Sequence, residues 1–296
     1  MKNFQHIGFI GLGVMGEPMC RNLARKAGAS VIAFDLDKAP LDRLAAEGVR
    51  SASTAEIMAQ CDVVFLSLPS GEVVAQLCRQ DGGLLSQARP GQIVIDLSTS
   101  PVDTTRALEK EFAARQAHFL DAPVARTRAA AEAGTLAVMV GASPRLFEAV
   151  RPLIATFATD IALCGPVGCG QVLKILNNMV LFETVVAISE AKAIGERSGV
   201  DPQVLFDTLS KGSADSFALR NHGMKAVLPG DFPERAFSVR YARKDLHYAL
   251  KLAEATQVDA RGARVVEQWF DQAIEAGLGE QYHPVISRVM AGNGKA

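Results

Sequence analysis

The stretch that most constrains this chain is Gly11-Leu12-Gly13-Val14-Met15-Gly16, which follows the apolar run at residues 7–10 without a break. Between a strand and a helix, glycines at this spacing have separate tasks. The first permits a tight turn, the second lets backbone N–H groups approach a pyrophosphate, and the third lets helix and strand pack closely. Alone the pattern is weak, because glycine-rich turns are common. Here an acid, Asp35, closes the next apolar run at residues 30–34 and lies 19 residues beyond Gly16. An acid so placed accepts hydrogen bonds from adenosine ribose hydroxyls and repels a 2′-phosphate. The expected cofactor is therefore NAD rather than NADP, held by Gly11, Leu12, Gly13, Val14, Met15, Gly16 and Asp35.

The rest of the first half fits a βαβ chain. Apolar runs at 6–10, 30–34, 62–68, 92–97, 118–121, 135–140 and 160–163 read as strands, and segments such as 15–26 and 102–115 have helical spacing. Such alternation predicts a doubly wound, mostly parallel sheet. Ser100-Pro101-Val102-Asp103 reads as a helix start with an N-cap serine and a first-turn proline. It places Ser98 and Thr99 at the carboxyl end of the strand before it, where open α/β sheets bind their ligands. After Gly165 strand patterns give way to helical ones at 171–198, 202–209, 243–256 and 261–276, punctuated by Gly199-Val200-Asp201-Pro202. The expected domains are residues 1–164, α/β, and 165–296, all-helical.

Composition narrows the function class. The formal net charge is −1, which leaves no electrostatic footprint for nucleic acid or an anionic membrane. The apolar run at 179–189 is interrupted by Glu183 and Thr184 and is too short to span a bilayer. The chain enters its first strand almost at once, without a charged-then-apolar leader. Cys20, Cys61, Cys78, Cys164 and Cys169 are odd in number and lack metal-ligand spacing, so free thiols and a cytoplasmic location are expected. No metal is expected, and His222, His247 and His283 are too scattered to serve as ligands or a base.

The segment from Gln171 is apolar nearly all round, as in a buried helix, yet it carries Lys174, Asn177 and Asn178. Lys174 and Asn178 are four apart and share one face, a turn from the helix start. A buried lysine is costly unless paired or deprotonated, whereas one at a helix end can snorkel to solvent.

Four blocks together resemble the β-hydroxyacid dehydrogenase family, which includes 3-hydroxyisobutyrate dehydrogenases and tartronate semialdehyde reductases. They are residues 11–16; Asp121-Ala122-Pro123-Val124; Gly165-x-x-Gly168-x-Gly170-x-x-x-Lys174-x-x-x-Asn178; and Lys244-Asp245-Leu246. The resemblance implies a Rossmann domain and an all-α domain joined by a long central helix, with the active site in the cleft between them. It implies Lys174 as the catalytic residue, with Asn178 and its neighbour Asn177 orienting the substrate. Thr99 and Lys244 would line the cofactor site, and Leu68 and Pro69 its adenine-ribose side. A homodimer or homotetramer is implied as well.

One block departs from the family pattern. Most members continue Asp-x-Pro-Val with Ser-Gly-Gly, whereas this chain continues with Ala125-Arg126-Thr127-Arg128. An Arg-Thr pair at this place is similar to the sulfolactaldehyde reductase branch, whose substrate is a three-carbon aldehyde bearing a sulfonate. A guanidinium suits a carboxylate or a tetrahedral oxyanion, with charge-assisted hydrogen bonds of about 1.5–3 kcal/mol each. Arg126 and Thr127 are therefore expected to hold the acid group of a small hydroxyacid or hydroxy-sulfonate. Lys174 would stabilise and protonate the alkoxide formed when its semialdehyde or keto form is reduced. Three other readings compete. An imine reductase of similar architecture would usually carry a different residue where Lys174 stands. A non-catalytic NAD-binding protein would need neither Lys174 nor Asn178. A relative of phosphogluconate dehydrogenase would have a longer helical domain.

Overall fold

The short apolar runs form one twisted layer of strands: β1 (His6–Ile10), β2 (Ser30–Phe34), β3 (Arg50–Ser51), β4 (Val63–Leu66), β5 (Ile93–Asp96), β6 (His118–Asp121), β7 (Val124–Ala125), β8 (Leu136–Gly141) and β9 (Ala158–Gly165). The computed structural model describes residues 4–234 and 236–292. They divide into two compact units between Lys174 and Ile175. In the first unit the strand order is β3-β2-β1-β4-β5-β6-β8-β7, with β9 paired to β8. Strands β1 to β6 pair in parallel, and β8 runs antiparallel to β6 and β7 and parallel to β9. The expected mostly parallel, Rossmann-type sheet is present. The order reverses between β1 and β4, and the crevice at such a point is where dinucleotides bind.

These strands are buried almost throughout, and alternate side chains enter opposite faces of the sheet. Ile7, Phe9, Val63, Phe65, Ile93 and Ile95 pack into one apolar cluster, and Ile10, Val64, Leu66 and Val94 into another. Both faces are thus covered, as parallel strands crossed over by helices require. The covering helices are α1 (Gly16–Lys26), α2 (Lys38–Ala45), α3 (Thr54–Gln60), α4 (Gly71–Arg79), α5 (Leu84–Gln87), α6 (Val102–Ala113), α7 (Arg128–Ala133) and α8 (Pro144–Ile154). Strands β3 and β7 have two residues each, too few to carry a periodic signal, and the sequence analysis has no strand at either place. Ser100 does not cap α6 as expected. That helix starts after Pro101 with no side-chain cap, and Ser100 Oγ instead donates to Asp96 Oδ2 at 2.7 Å.

The boundary between the units falls within α9 (Cys169–Arg197). Helix α9 has 29 residues and its most apolar 18-residue window has mean hydropathy 1.5, so it is long and apolar enough to cross a membrane by length and composition, unlike the shorter run read from the sequence. It is not buried all round. Ile175, Phe182, Val185, Val186 and Ile188 are buried, whereas Leu173, Leu176, Val180 and Ile194 are exposed.

The second unit is helical throughout, with α10 (Pro202–Leu209), a π-helical segment at Leu219–Val227, α11 (Val239–Ala255), α12 (Arg261–Glu275), a 3-10 turn at His283–Val285 and α13 (Ile286–Met290). Asp201 caps α10, its side chain accepting the N–H groups of Gln203 and Val204 ahead of Pro202, as the sequence suggests. Helix α11 begins at Val239, before the expected 243, because the Ser238 side chain caps it. The core gathers Phe182, Phe206, Leu219, Val239, Leu246, Phe270 and Ile286.

Two of the supposedly scattered histidines meet in this core. The His283 ring is fully buried, 5.1–5.4 Å between centroids from Tyr282, Phe182, Phe237 and His222. Neither of its nitrogens has a hydrogen-bond partner among the described residues. Burial pushes His222 down to about 4, assisted by the Lys225 charge, and holds His283 well below the ordinary histidine value. Both rings are neutral in the folded chain and protonate in the unfolded one near pH 6.5. Stability from this cluster is therefore intact above about pH 6.5 and is lost as pH falls toward 4. His283→Phe should show a smaller fall in urea midpoint between pH 8 and pH 5 than the wild type. An equal fall would remove His283 as a source of acid sensitivity.

Candidate active site

The carboxyl ends of the parallel strands collect most of the expected cofactor residues, all within the first unit. Gly11 follows β1 with φ of +95°, and a Cβ there would lie 2.2 Å from Ser67 O. A Cβ on Gly16 would lie 2.1 Å from Gly11 O, so the turn and the start of α1 leave room for glycine only. Gly13 differs: it is exposed, and among the described residues nothing beyond its chain neighbours lies within 4 Å of where its Cβ would be. The fold itself therefore does not demand glycine at 13. Its open backbone leaves room for the close passage of a pyrophosphate and fits an NAD site.

Asp35 is fixed beside the same loop. Its Oδ2 accepts the Leu12 N–H at 2.5 Å and its Oδ1 the Asp37 N–H at 2.8 Å. A carboxylate offers about four lone-pair sites, so two remain for ribose hydroxyls. Val14 and Leu36 beside it are exposed and Met15 is half-buried. Leu68, after β4, donates its N–H to Ser98 Oγ at 2.9 Å, while Pro69 is exposed. Thr99 is buried after β5.

A buried polar lattice joins this edge to the start of α9. Asp96 and Asp121 end neighbouring strands in register, and both are 0 % exposed. Asp96 Oδ1 accepts the Ser98 N–H at 2.9 Å, and Ser100 N donates to Gln171 Oε1 at 3.0 Å. Gln171 Nε2 donates to Ser98 O at 2.8 Å. Asp121 accepts the N–H groups of Gly168 and Gln171, each at 2.7 Å. Burial pushes the Asp121 carboxyl up to about 6, against the pull of these N–H bonds and helped by the Asp96 charge. Lys174, half-buried, stands three residues beyond Gln171 on the same helix.

In the second unit Asn178 and Lys244 are brought together by a residue to which the sequence analysis gave no role. Asn178 Nδ2 donates to Asp245 Oδ2 at 2.8 Å, and Lys244 Nζ lies 3.2 Å from Asp245 Oδ1. Asn178 and Asp245 are buried. The Lys244 ammonium also sits 4.0 Å from the centroid of the Tyr241 ring, within cation–π range. Asn177 is exposed and donates to Asn178 Oδ1 at 3.2 Å. The adjacent Lys-Asp pair was the available signal for Asp245, because an acid beside a cofactor-facing lysine can fix that lysine's position.

The expected substrate loop is bound into the protein's own surface. Arg126 has φ of +87°, a left-handed backbone that glycine adopts without strain. Its guanidinium pairs with Asp160 at 2.6 Å and donates to Thr135 O at 2.6 Å and Thr159 Oγ1 at 3.2 Å. Thr127 is exposed and caps α7, its side chain accepting the Ala130 N–H.

Residues 6–165 match the family model for the NAD binding domain of 6-phosphogluconate dehydrogenase. Residues 168–290 match that for the NAD-binding part of NADP-dependent 3-hydroxyisobutyrate dehydrogenase. The 2-(hydroxymethyl)glutarate dehydrogenase of Eubacterium barkeri is 33% identical over 98% of this chain and 96% of its own length. The chain belongs to the β-hydroxyacid dehydrogenase family. Another relative at 32% identity is the NAD-dependent L-serine dehydrogenase of Pseudomonas aeruginosa, matched over 96% of this chain and 97% of its own. The structure of Mycobacterium tuberculosis 3-hydroxyisobutyrate dehydrogenase with L-serine superposes with a TM-score of 0.88 at 32% identity, covering 97% of this chain and 99% of that one. Imine reductase structures share the fold at 17–19% identity. As a family member the chain is an NAD-dependent oxidoreductase acting on the CH–OH group of a small hydroxyacid.

The glycines of the family's nucleotide loop separate by experiment. Gly11→Ala and Gly16→Ala should lower the melting temperature by several degrees, because each Cβ meets a carbonyl oxygen. Gly13→Ala should melt within a degree or two of wild type yet bind NADH at least ten-fold more weakly by fluorescence titration. Unchanged NADH affinity in Gly13→Ala would separate that glycine from the dinucleotide.

Proposed function

We propose that this dehydrogenase interconverts a small anionic β-hydroxyacid, or a hydroxy-sulfonate, with its semialdehyde or keto form, using Lys174 as general acid and base. The observation that carries the reading is the anchoring of α9. Its first turn is bonded to Asp121 at the same sheet edge that presents the glycine loop, and Lys174 follows one turn later. When bound, the nicotinamide exchanges a hydride with the substrate carbon. In reduction the Lys174 ammonium stabilises the charge growing on the substrate oxygen and protonates it; in oxidation the neutral amine removes the hydroxyl proton. Asn178, oriented by Asp245, positions the substrate.

NAD preference is supported by the fixed Asp35 carboxylate, whose charge opposes a 2′-phosphate. Leu68, Pro69, Thr99 and Lys244 complete the proposed dinucleotide contacts. A homodimer or homotetramer is supported by the exposed apolar residues Leu173, Leu176, Val180 and Ile194 on α9.

Arg126 is the proposed anchor of the substrate anion, with Thr127 beside it. Its ion pair with Asp160 is exposed, and pairs of that kind contribute about 0–1 kcal/mol. A desolvated substrate carboxylate or sulfonate can therefore compete with Asp160 for the guanidinium. The Thr127 oxygen accepts from Ala130 N, which leaves the hydroxyl proton free to donate to the same anion.

Lys174→Ala should lower kcat by about 10²–10⁴-fold while NADH still binds, the range expected for loss of a positioned acid–base group. Turnover within a few-fold of wild type would remove the lysine from that role. Arg126→Ala should lose about 10–100-fold in kcat/KM, as the removal of one or two charge-assisted hydrogen bonds implies. Measured in parallel on a sulfonate aldehyde and a carboxylate semialdehyde, the larger loss identifies the physiological acid group. No loss on either would sink the anchor.

A further inference from the structure

We propose that Asp121 is a positioning residue for the reaction: its ionised carboxylate holds the first turn of α9, and so places Lys174 for proton transfer. The proposal rests on the reading of Lys174 given above. The two oxygens divide the work, Oδ1 taking the N–H of Gly168 just before the helix and Oδ2 that of Gln171 within its first turn. Negative charge there also faces the positive end of a 29-residue helix.

The surroundings leave this carboxylate no substitute. A Cβ on Gly141 would lie 2.2 Å from Asp121 Oδ1, and one on Gly170 would lie 2.2 Å from Met139 O and 2.8 Å from Asp121 Oδ2. Two glycines thus bring the helix backbone directly onto the strand end, and the acid sits between them. Gln171 is gripped a second time through Ser100 N and Ser98 O, both arranged by Asp96. Lys174 lies three residues farther along, so any loosening of the turn at Gln171 moves its ammonium group.

Among the described residues, the titratable groups facing Asp121 are Asp96 from β5 and Cys164 from β9, with Cys169 of α9 next to Cys164. Burial, reinforced by Asp96, pushes the Asp121 carboxyl up to about 6. A protonated carboxyl keeps one good acceptor and loses its charge, so the grip on the turn weakens just below neutral pH. The sign for stability is opposite. The folded chain binds this proton more tightly than the unfolded chain does. Between about pH 4 and pH 6, therefore, ionisation of Asp121 costs stability as pH rises. Activity from this residue rises over the window in which its contribution to stability falls. An acid that served only as a structural cap would raise both together.

The test uses Asp121→Asn, isosteric and uncharged, beside wild type and Lys174→Ala. At pH 7.5 Asp121→Asn should lose at least ten-fold in kcat with NADH affinity within two-fold. The wild-type kcat profile should show an acid limb near pH 6, and the variant's should lack it. Relative to wild type, its urea midpoint should improve between pH 4.5 and pH 7. A kcat within two-fold of wild type, or an acid limb that stays in place, would overturn the proposal. Should the variant fail to fold, the wild-type enzyme decides: an acid limb in kcat that coincides with the Asp121 titration followed by carboxyl-carbon NMR supports the proposal, and a kcat that stays flat through that titration overturns it. An inactive Lys174→Ala beside a normal Asp121→Asn refutes the positioning role alone, whereas an active Lys174→Ala refutes the lysine reading beneath it.

Discussion

The first unit depends on one close approach, that of the start of α9 to the ends of β6 and β8. Gly141 and Gly170 remove the two side chains that would hold helix and sheet apart. Once the backbones are that near, the N–H groups at the helix start cannot reach water. They need an acceptor built into the strand, and Asp121 supplies both of its oxygens. The arrangement is costly in isolation, because a carboxylate with no solvent exposure pays desolvation that the N–H bonds only partly return. A more stable start to α9 could have been made with a neutral cap at the surface. What the buried acid provides instead is definition: a helix end with two fixed points and little freedom to rotate about its axis. Chemistry that asks one lysine to meet one substrate oxygen needs that kind of definition.

A second division of labour runs through the nucleotide loop. Gly11 and Gly16 answer to the fold, since protein atoms fill the space where their side chains would go, whereas Gly13 answers to nothing in the protein. The same contrast separates Asp96 from Asp35. Asp96 spends its oxygens on Ser98 and Ser100 and is sealed inside. Asp35 spends one bond on each oxygen and stays half-buried, with valences left over. Groups retained for a ligand are those whose protein contacts do not exhaust them.

These distinctions explain which features could be read from the sequence. The sheet was legible because short apolar runs alternating with helical segments leave little alternative, and β1, β2 and β6 fall where the runs lie. The glycine loop was legible because three backbone requirements recur at fixed spacing. Two-residue strands such as β3 and β7 were not, since nothing periodic fits in them. Ser100 misled because a serine before a proline carries the same local signal whether it caps a helix or reaches a buried acid. The lattice through Asp96, Gln171 and Asp121 was invisible for a related reason. Its members lie 25 to 75 residues apart, and each alone reads as an ordinary polar residue. Asp245 and the meeting of His222 with His283 are likewise products of tertiary packing.

The proposed substrate end obeys a different balance from the dinucleotide loop. Arg126 occupies a left-handed backbone, which costs a side-chain-bearing residue on the order of 1 kcal/mol or more. In return its guanidinium makes an exposed ion pair and two further bonds at the surface. An exposed pair alone contributes about 0–1 kcal/mol, and the bonds to Thr135 O and Thr159 Oγ1 add to it against a glycine that would adopt the same φ freely. An incoming anion in a water-poor site would raise the worth of each guanidinium bond well above its surface value, and that difference is available for binding. On the proposed function, the Asp160 contact would act as a resting partner that keeps the fork ordered, so less rotamer freedom would be lost when a substrate acid group takes its place.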